Sequence, residues 1–398
     1  ENLFITGAAG TGKSFLLRYV VQELEAKMGG PGRLAVTAPT GLAAINVGGV
    51  TVHSFAGIGI MQQDGVGNMH RYMAARIGNS KVSSQRWRDT DVLVIDEISM
   101  LAPAFFDQLE AVARQVRRRR EPFGGMQLVL CGDFLQLPPV EEDATPPGGW
   151  SFCFQTPAWG RCNLAKGTVI LREPVRQAGD PAFVKALNAV RAGRCPDDLL
   201  QQLRRHTVGC KPPPSGDVTP TKLYSANRDV DSENAARLRE IREEEVVYPG
   251  YDTFSTTRAG TEGAVPKREQ VKLTEMLNKK VPSELRLKRR AQVILLRKQQ
   301  GEPSLVNGSR GVVVDLHDNA ATVAFDNGKT YRVERDTGFV QKGVSYSLRR
   351  NQLPLRLGWA LTIHKAQGMT LTRAEVQLGE TFCHGQAYVA LSRLTGFA

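Results

Sequence analysis

Short apolar runs alternate with helical patterns through residues 1–135. The runs are bounded by turn residues or charge, and their shortness predicts strands buried on both faces, as in a parallel sheet covered by helices. Between them, apolar residues recur at helical spacing, as in Phe105–Val116. The four runs are Leu3–Ile5, Leu34–Val36, Val92–Ile95 and Leu128–Leu130. This alternation predicts an α/β domain whose ligand lies at the carboxyl ends of the strands.

The second half of the chain predicts a further α/β domain that carries a β insertion. Its strand candidates are Thr168–Leu171, Thr221–Ser225, Gln292–Leu296 and Glu375–Leu378. Between residues 311 and 352 the pattern changes to short β-type runs separated by turns. Those runs are Val312–Val314, Thr322–Phe325 and Tyr331–Val333. We interpret 311–352 as a small β-barrel inserted into the second α/β domain.

Length and charge narrow the class of protein. A chain of 398 residues is too long for one core and suits two or three domains. Its formal net charge of +12 favours a polyanionic partner, because surface Lys and Arg attract phosphates. No apolar stretch approaches the ~20 residues that a membrane span needs, so no membrane partner is expected. The six cysteines show no zinc spacing, which excludes an obvious structural metal.

A phosphate-binding loop follows the first predicted strand. Gly7-Ala8-Ala9-Gly10-Thr11-Gly12-Lys13-Ser14 matches G-x-x-x-x-G-K-[ST] between a strand and a helix. Glycines let backbone N–H groups face the phosphates, and the N-terminus of the helix adds partial positive charge. Lys13 is expected to reach the β- and γ-phosphates, and Ser14 to give a hydroxyl to Mg²⁺. The loop therefore predicts ATP with Mg²⁺ as cofactor.

Two later segments carry the groups that hydrolysis needs. Asp96 and Glu97 end the apolar strand Val92–Ile95. Asp96 is expected to hold Mg²⁺ through its waters, and Glu97 to orient and deprotonate the attacking water. Gln136 lies in Gly132–Pro139 after another strand, where its amide could sense the γ-phosphate.

Nine motifs in order resemble a known family, the superfamily-one helicases of the petite-integration-frequency (Pif) class. The resemblance runs from Asn2 to Arg393. A further segment, from Phe106–Glu110 through Pro122–Gly125, resembles the signature of this class. The nine motifs are Gly7–Ser14, Thr37–Gly41, Thr51–Phe55, Ile95–Glu97, Gly132–Pro139, Val175–Gln177, Asn307–Gly311, Thr362–Thr370 and Tyr388–Arg393.

The resemblance implies two RecA-like P-loop NTPase domains with an SH3-like insertion in the second. We expect the first at 1–160, with a small wedge-like insertion near 51–75. The second is expected at 161–310 and 353–398, with the insertion at 311–352. Arg176 and Arg393 match the arginine fingers, which the family supplies from the second domain. Pro174 and Val175 depart from the family's usual residue types, so we expect the backbone near Arg176 to differ.

The resemblance also implies a DNA interface. The matching positions are Thr40, His53, Phe55, Asn307, His364 and Lys365. Hydroxyls, amides and cations suit phosphates, and aromatic rings stack on unpaired bases at ~1–3 kcal/mol each. The two histidines could equally be core residues. The run Arg117–Arg120 ends a predicted helix, where basic residues favour the helix dipole and face solvent.

The leading hypothesis is an ATP-dependent 5′-to-3′ DNA helicase. As the resemblance implies, it would translocate on single-stranded DNA, unwind forked duplexes and G-quadruplexes, and serve genome maintenance. A monomer is expected, in the nucleus or mitochondrion of a eukaryote or in the cytoplasm otherwise. Two alternatives stay open. A P-loop kinase or GTPase-like switch would share the loop and Asp96, and a single-strand binding module could have lost hydrolysis.

Overall fold

The computed structural model divides the chain into two compact units. The first comprises residues 1–178 with 383–385, and the second comprises 179–382 with 386–398. The structure describes the chain except residues 29–31, 58–68, 140–148, 211–217, 257–263, 279, 298, 300, 301, 303, 306, 307, 343–345 and 398. The expected wedge-like insertion near 51–75 thus lies partly outside the described residues.

The first unit is built on a six-stranded parallel sheet in the order β3-β2-β4-β5-β1-β6. Its sheet is covered on both faces, which explains why the strands are continuous apolar runs. Its elements are β1 (Leu3–Gly7), α1 (Lys13–Met28), β2 (Leu34–Ala38), α2 (Gly41–Asn46), β3 (Val50–Thr51), α3 (Val52–Ala56), α4 (Met69–Gly78), α5 (Lys81–Asp89), β4 (Val92–Ile95), α6 (Pro103–Arg117), β5 (Gln127–Cys131), α7 (Pro157–Arg161) and β6 (Thr168–Leu171).

Two hydrophobic cores flank this sheet. On one side, Leu17 and Val21 of α1 pack against Val94 and Val129. On the other side, α3 to α7 bury a larger cluster that includes Trp87. The α/β prediction for this part of the chain is confirmed, with all four predicted strands in the sheet.

Strand β6 corrects one sequence prediction. Thr168–Leu171 was expected in the second α/β domain, but it pairs in parallel with β1, with Phe4 opposite Thr168. As an edge strand it leaves Val169 and Ile170 exposed. An apolar run does not reveal which sheet it joins, and β6 completes the first one.

The second unit combines a small parallel sheet with two antiparallel sheets and a two-stranded ribbon. The parallel sheet has the order β18-β7-β19, one antiparallel sheet is β14-β13-β12-β11-β17, the other is β15-β16-β9, and β10 pairs with β8. Its elements are α8 (Pro181–Arg191), α9 (Asp197–Arg205), β7 (Thr221–Tyr224), α10 (Asn227–Glu240), β8 (Val246–Pro249), β9 (Tyr251–Thr256), α11 (Lys267–Asn278), β10 (Glu284–Leu287), β11 (Gln292–Leu295), β12 (Arg310–His317), β13 (Ala320–Phe325), β14 (Thr330–Glu334), β15 (Asp336–Lys342), β16 (Tyr346–Gln352), β17 (Leu355–Leu357), β18 (Ala360–Thr362), α12 (Ile363–Ala366), β19 (Ala374–Val376) and α13 (Gln386–Leu391).

The β-rich part of this unit differs in extent from the prediction. The three predicted short runs are strands β12, β13 and β14. Gln292–Leu296 was expected in the parallel sheet, but β11 lies antiparallel between β12 and β17. All four residues of β11 are buried, and such a run looks the same in either kind of sheet. The antiparallel sheets therefore draw strands from outside 311–352.

Two buried arginines connect separate elements of the second unit. Arg310 of β12 donates to Asp326 at 3.1 Å and to the carbonyl oxygen of Arg373 at 2.8 Å, next to β19. Arg350 of β16 donates to both carboxylate oxygens of Asp252 in β9, at 2.6 and 2.7 Å.

Among the described helices, none is both long and apolar enough to cross a membrane.

Candidate nucleotide and nucleic-acid sites

The phosphate-binding loop spans the five residues between the end of β1 at Gly7 and the start of α1 at Lys13. Gly10 and Gly12 have φ of +83° and +86°, values that side chains with a Cβ rarely adopt. The Lys13 ammonium donates to the carbonyl oxygens of Gly7 and Ala8, each at 2.9 Å. Thr11 donates to the Ala8 carbonyl oxygen at 2.9 Å. The loop is thus a closed turn with its lysine held across it, at the N-terminus of α1.

The segment after β6 packs directly on this loop. The backbone N–H groups of Val175 and Arg176 donate to the Gly10 carbonyl oxygen at 2.8 and 3.1 Å. Gln177 is buried, and a Cβ on Gly10 would lie 2.4 Å from its Oε1. Both arginine fingers were expected from the second domain, and for Arg176 this is wrong, since it belongs to the first unit. The reason is the pairing of β6 with β1, which brings the ends of both strands to the same edge.

Asp96 and Glu97 follow β4 at that same edge. The Asp96 N–H donates to the Thr37 carbonyl oxygen at 2.9 Å, and the Glu97 N–H donates to Asp96 Oδ1 at 2.9 Å. Glu97 has φ +50° and ψ +45°, a left-handed conformation that costs a non-glycine residue ~1–3 kcal/mol and is typical of functional sites. The neighbouring strand β2 therefore holds the Asp96 backbone, the Glu97 N–H holds its carboxylate, and the backbone turns sharply to present Glu97.

Burial sets the electrostatics of Asp96. Burial raises the pKa of the Asp96 carboxyl above its usual range. A hydrogen bond from the Cys131 thiol and the charges of Lys13 and Arg18 act in the opposite direction and lower the pKa. Burial and the Asp96 charge raise the pKa of Cys131 well above that of a free thiol. Lys13 therefore lies within electrostatic reach of Asp96, as hydrolysis of a bound triphosphate requires.

Gln136 lies after β5, between the loop and Asp96 in the strand order. Its N–H donates to the Asp133 carbonyl oxygen at 2.9 Å, and its amide nitrogen lies 3.5 Å from Asp133 Oδ2. Both side chains are buried. The N–H of Gly132 donates to the Ile5 carbonyl oxygen at 3.1 Å, which ties this segment to β1. The order β4-β5-β1-β6 thus brings Asp96, Gln136, the loop and Arg176 to one edge of the sheet.

The oxygen donors at this edge fit a magnesium ion that arrives with its nucleotide. A hydroxyl from Ser14 and a carboxylate from Asp96 are the hard ligands that Mg²⁺ prefers. The described residues contain no cluster of three or more His, Cys, Asp or Glu side chains arranged for a metal. Mg²⁺ typically takes one or two protein ligands, waters and phosphate oxygens, so this donor set fits.

Arg393 lies in the second unit, at the end of α13. Its Nε donates to the Val389 carbonyl oxygen at 3.0 Å, and its Nη2 donates to Ser392 Oγ at 2.8 Å. The Leu371 N–H donates to the Arg393 carbonyl oxygen at 2.9 Å. The guanidinium is buried and its direction is set by these contacts. Its role as a finger stays a prediction.

The predicted DNA residues of the first unit have different environments. Thr40 Oγ1 accepts from the Ala43 N–H at 3.3 Å, as a cap of α2. His53 stacks on Phe105 with ring centroids 4.4 Å apart, and burial lowers its pKa. Phe55 is 1% exposed and packs on Trp87, so it cannot stack on a base in this structure. That prediction is corrected, because the aromatic of this motif is a core residue.

The predicted DNA residues of the second unit cluster in α12. His364 stacks on Phe382 with centroids 5.9 Å apart, and burial lowers its pKa. The Lys365 N–H donates to the capping Thr362 hydroxyl at 3.2 Å, and burial lowers the pKa of its ammonium to about 8. Asn307 lies outside the described residues.

Sequence reasoning missed two residues of the nucleotide edge. Cys131 touches Asp96, and Gln177 packs against Gly10. Cys131 ends an apolar strand and could have been found from that position alone, since carboxyl ends of parallel strands carry the site. Gln177 lies in the motif Val175–Gln177, but that motif did not show that its side chain packs on Gly10, because its place depends on the pairing of β6.

Comparisons with known proteins identify relatives of the chain. The family model described as PIF1-like helicase matches residues 1–200. The chain is 40% identical to the human ATP-dependent DNA helicase PIF1, over 99% of this chain and 57% of the human protein. It is 36% identical to the crystal structure of the Pif1 helicase from Candida albicans, with a TM-score of 0.77, covering 100% of this chain and 90% of that one.

A third relative binds the ligands in question. It is the Pif1 helicase from Bacteroides in complex with ADP-AlF3 and ssDNA, 30% identical, with a TM-score of 0.64, covering 100% of this chain and 87% of that one. The chain spans little more than half the length of the human relative. The family model and these similarities show that the chain belongs to the PIF1-like helicase family.

Proposed function

We propose that this chain is an ATP-driven DNA helicase that moves 5′ to 3′ along single-stranded DNA. The observation that carries the proposal is the sheet edge on which the loop, Asp96, Gln136 and Arg176 meet. Family membership supports single-stranded DNA as the strand along which the protein moves, because the Bacteroides relative was crystallised with single-stranded DNA. The direction of travel rests on the resemblance alone.

Each residue of this edge has a separate role in the proposed hydrolysis of ATP. The loop N–H groups and Lys13 bind and orient the phosphates, and Ser14 with Asp96 would hold Mg²⁺, which neutralises phosphate charge. Glu97 takes a proton from the attacking water, and Gln136 senses the γ-phosphate. Arg176 and Arg393 stabilise negative charge in the transition state, a contribution worth roughly 10³–10⁵ in rate for arginine fingers.

The β-rich part of the second unit has a proposed role in DNA handling. We assign β12–β14 and the sheet β15-β16-β9 to an SH3-like accessory module, supported by their antiparallel pairing. G-quadruplex unwinding, genome maintenance, a monomeric state and location in the nucleus or mitochondrion remain proposals from the resemblance.

Strand separation tests the proposed function directly. With ATP and Mg²⁺, the protein should unwind a duplex with a 5′ single-stranded tail and leave one with only a 3′ tail intact. The reverse preference would refute the polarity. Lys13→Ala should abolish both unwinding and hydrolysis, because the phosphates lose their main side-chain cation.

The ATPase rate with and without single-stranded DNA separates the alternatives. A helicase should hydrolyse ATP faster when DNA is added, whereas a P-loop kinase or switch should not respond. Single-strand binding without any hydrolysis would favour the non-enzymatic module. Arg393→Ala should lower turnover and leave ATP binding largely intact.

A further inference from the structure

A short turn from late in the chain packs on the segment that carries Gln136. Residues 383–385, here called the covering turn, group with the first unit, although the residues on either side of them along the chain group with the second. The Phe382 N–H donates to Gln386 Oε1 at 3.0 Å, which closes the chain around these three residues. Gln386 then begins α13, so the covering turn is held at both of its ends.

The first contact of the covering turn is between Gly385 and the backbone of Gln136. Gly385 has a φ of +79°, a left-handed conformation that favours glycine. A Cβ on Gly385 would overlap the Gln136 carbonyl oxygen and would lie 2.7 Å from the Gln136 carbonyl carbon. The Leu135 carbonyl oxygen would be 3.2 Å away. The backbone angle and the space therefore both require glycine, and Gly385 lies directly against the carbonyl group of Gln136.

The second contact of the covering turn is made by the ring of His384. This ring meets Phe152 edge to face, with the centroids 5.9 Å apart. Phe152 in turn meets Phe134 edge to face at 5.9 Å, and Phe134 packs on Trp159 of the core at 5.7 Å. Phe134 lies two residues before Gln136. The covering turn thus contacts the Gln136 segment at the backbone and, through Phe152, at an aromatic ring.

The Gln136 side chain depends on its backbone for its direction. The Asp133 carbonyl oxygen accepts from the Gln136 N–H at 2.9 Å, and Asp133 Oδ1 accepts from the Leu135 N–H at 3.2 Å. These bonds hold the N–H side of Gln136, whereas its carbonyl side lies against Gly385. The Gln136 amide nitrogen is 3.5 Å from Asp133 Oδ2, a distance at which a hydrogen bond is weak. The backbone contacts therefore decide where this buried amide points.

We propose that Gly385 is a positioning residue for Gln136, so that the covering turn sets the direction in which the Gln136 amide meets the γ-phosphate. The inference rests on the proposed function, in which Gln136 senses this phosphate. Groups that meet a reacting phosphate must be held closely in place, because a displacement of about 1 Å can cost about 100-fold in rate. Gly385 acts through Gln136 rather than on the nucleotide.

Steady-state ATP hydrolysis with saturating single-stranded DNA tests the proposal. Gly385→Ala adds the Cβ that overlaps Gln136. Gly48→Ala is the matched control, because Gly48 lies in the same unit with φ +72° and a Cβ there would meet no atom within 4 Å. We expect G385A to lower kcat about tenfold, while the KM for ATP and the affinity for ADP stay within about threefold. G48A should keep kcat within about twofold, and equal kcat values for the two variants would overturn the inference.

A double-variant cycle separates the positioning of Gln136 from general damage to the site. Gln136→Ala removes the amide, so G385A/Q136A should have the same kcat as Q136A alone, since no amide remains to be displaced. If the two losses multiply instead, Gly385 acts by another route, such as through α13 and Arg393, and the inference is overturned. If the unchanged protein hydrolyses no ATP, or if Q136A leaves kcat unchanged, the proposed function fails instead.

A second variant keeps the proposal testable if G385A does not fold in a melting experiment. His384→Ala removes the ring contact with Phe152 and introduces no collision. We expect H384A to lower kcat about threefold in the unchanged background and to have no effect in the Q136A background. An unchanged kcat, or the same relative loss in both backgrounds, would overturn the inference.

Discussion

The contact between the phosphate-binding loop and the segment after β6 predicts different outcomes for two neighbouring glycines. Gly10 and Gly12 have nearly the same backbone, with φ of +83° and +86°. A Cβ on Gly12 would meet no atom within 4 Å, whereas one on Gly10 would lie 2.4 Å from Gln177 Oε1 and 3.0 Å from Arg176 Cβ. Gly12→Ala is therefore a matched control for Gly10→Ala, with equal backbone strain and no collision.

Two contributions determine how much stability each alanine variant loses: left-handed backbone strain and the collision of the new Cβ. Left-handed backbone costs alanine roughly 1–2 kcal/mol, and this applies to both variants. Overpacking of a filled site adds typically about 1–3 kcal/mol, and this applies to Gly10→Ala alone. For a domain near the size of the first unit, each kcal/mol lowers the melting temperature by roughly 2–4 °C. Gly10→Ala should thus melt clearly below Gly12→Ala.

Thermal melting without nucleotide measures this difference. Removing the colliding atom gives an internal control, because Gln177→Ala should make Gly10→Ala less harmful. The double variant is expected to be more stable than the sum of the two single changes predicts, by about 1 kcal/mol or more, as for residues in contact. Equal melting temperatures for the two alanine variants, or simple additivity with Gln177→Ala, would refute the packing of Arg176 and Gln177 on the loop.

Three further predictions concern side chains that the structure places in supporting roles. Phe55→Leu should lower the free energy of unfolding by about 1 kcal/mol or more, because Phe55 is a core residue, and should leave the affinity for single-stranded DNA within about twofold. Thermal melting measures the stability and fluorescence anisotropy measures the affinity. Arg117→Gln should destabilise the protein by about 2–4 kcal/mol, since its guanidinium donates to four backbone carbonyl groups, whereas exposed Arg120→Gln should change little in the same melting assay. Burial lowers the pKa of Lys280 to about 8 from 10.5, so the unfolded chain binds more protons between these values and stability should rise with pH across that window. Lys280→Met should show a smaller rise, and an unchanged pH profile of the melting temperature would contradict this.

The shape of the phosphate-binding loop could be predicted from the sequence because its parts are local. A strand, a glycine-rich turn and a helix start are adjacent along the chain, so Gly7–Ser14 specifies its own shape. Asp96 likewise follows directly from the end of an apolar strand. The carboxyl edge of a parallel sheet then brings such segments together without further information.

Other features depended on pairings between distant segments. Thr168–Leu171 is apolar whether it joins one sheet or another, and only its register with β1 places it in the first unit. Phe55 is an aromatic in a motif, and only packing on Trp87 shows that it is buried. Periodicity reports whether a residue is buried, but not which partner buries it.

The placement of Arg176 follows from the same limitation and has a functional consequence. Because its backbone N–H donates to Gly10, any shift of the loop on binding phosphates acts directly on the segment that carries this guanidinium. Gln177, packed 2.4 Å from the position of a Gly10 Cβ, leaves no room for the two segments to approach further. Arg176 is therefore positioned by the nucleotide loop itself, whereas Arg393 is oriented by Val389 and Ser392 of the second unit. Arg176→Ala keeps the backbone N–H and the Cβ that contact the loop, so loop geometry and nucleotide affinity should be largely preserved and the loss should act mainly on turnover, as for Arg393→Ala.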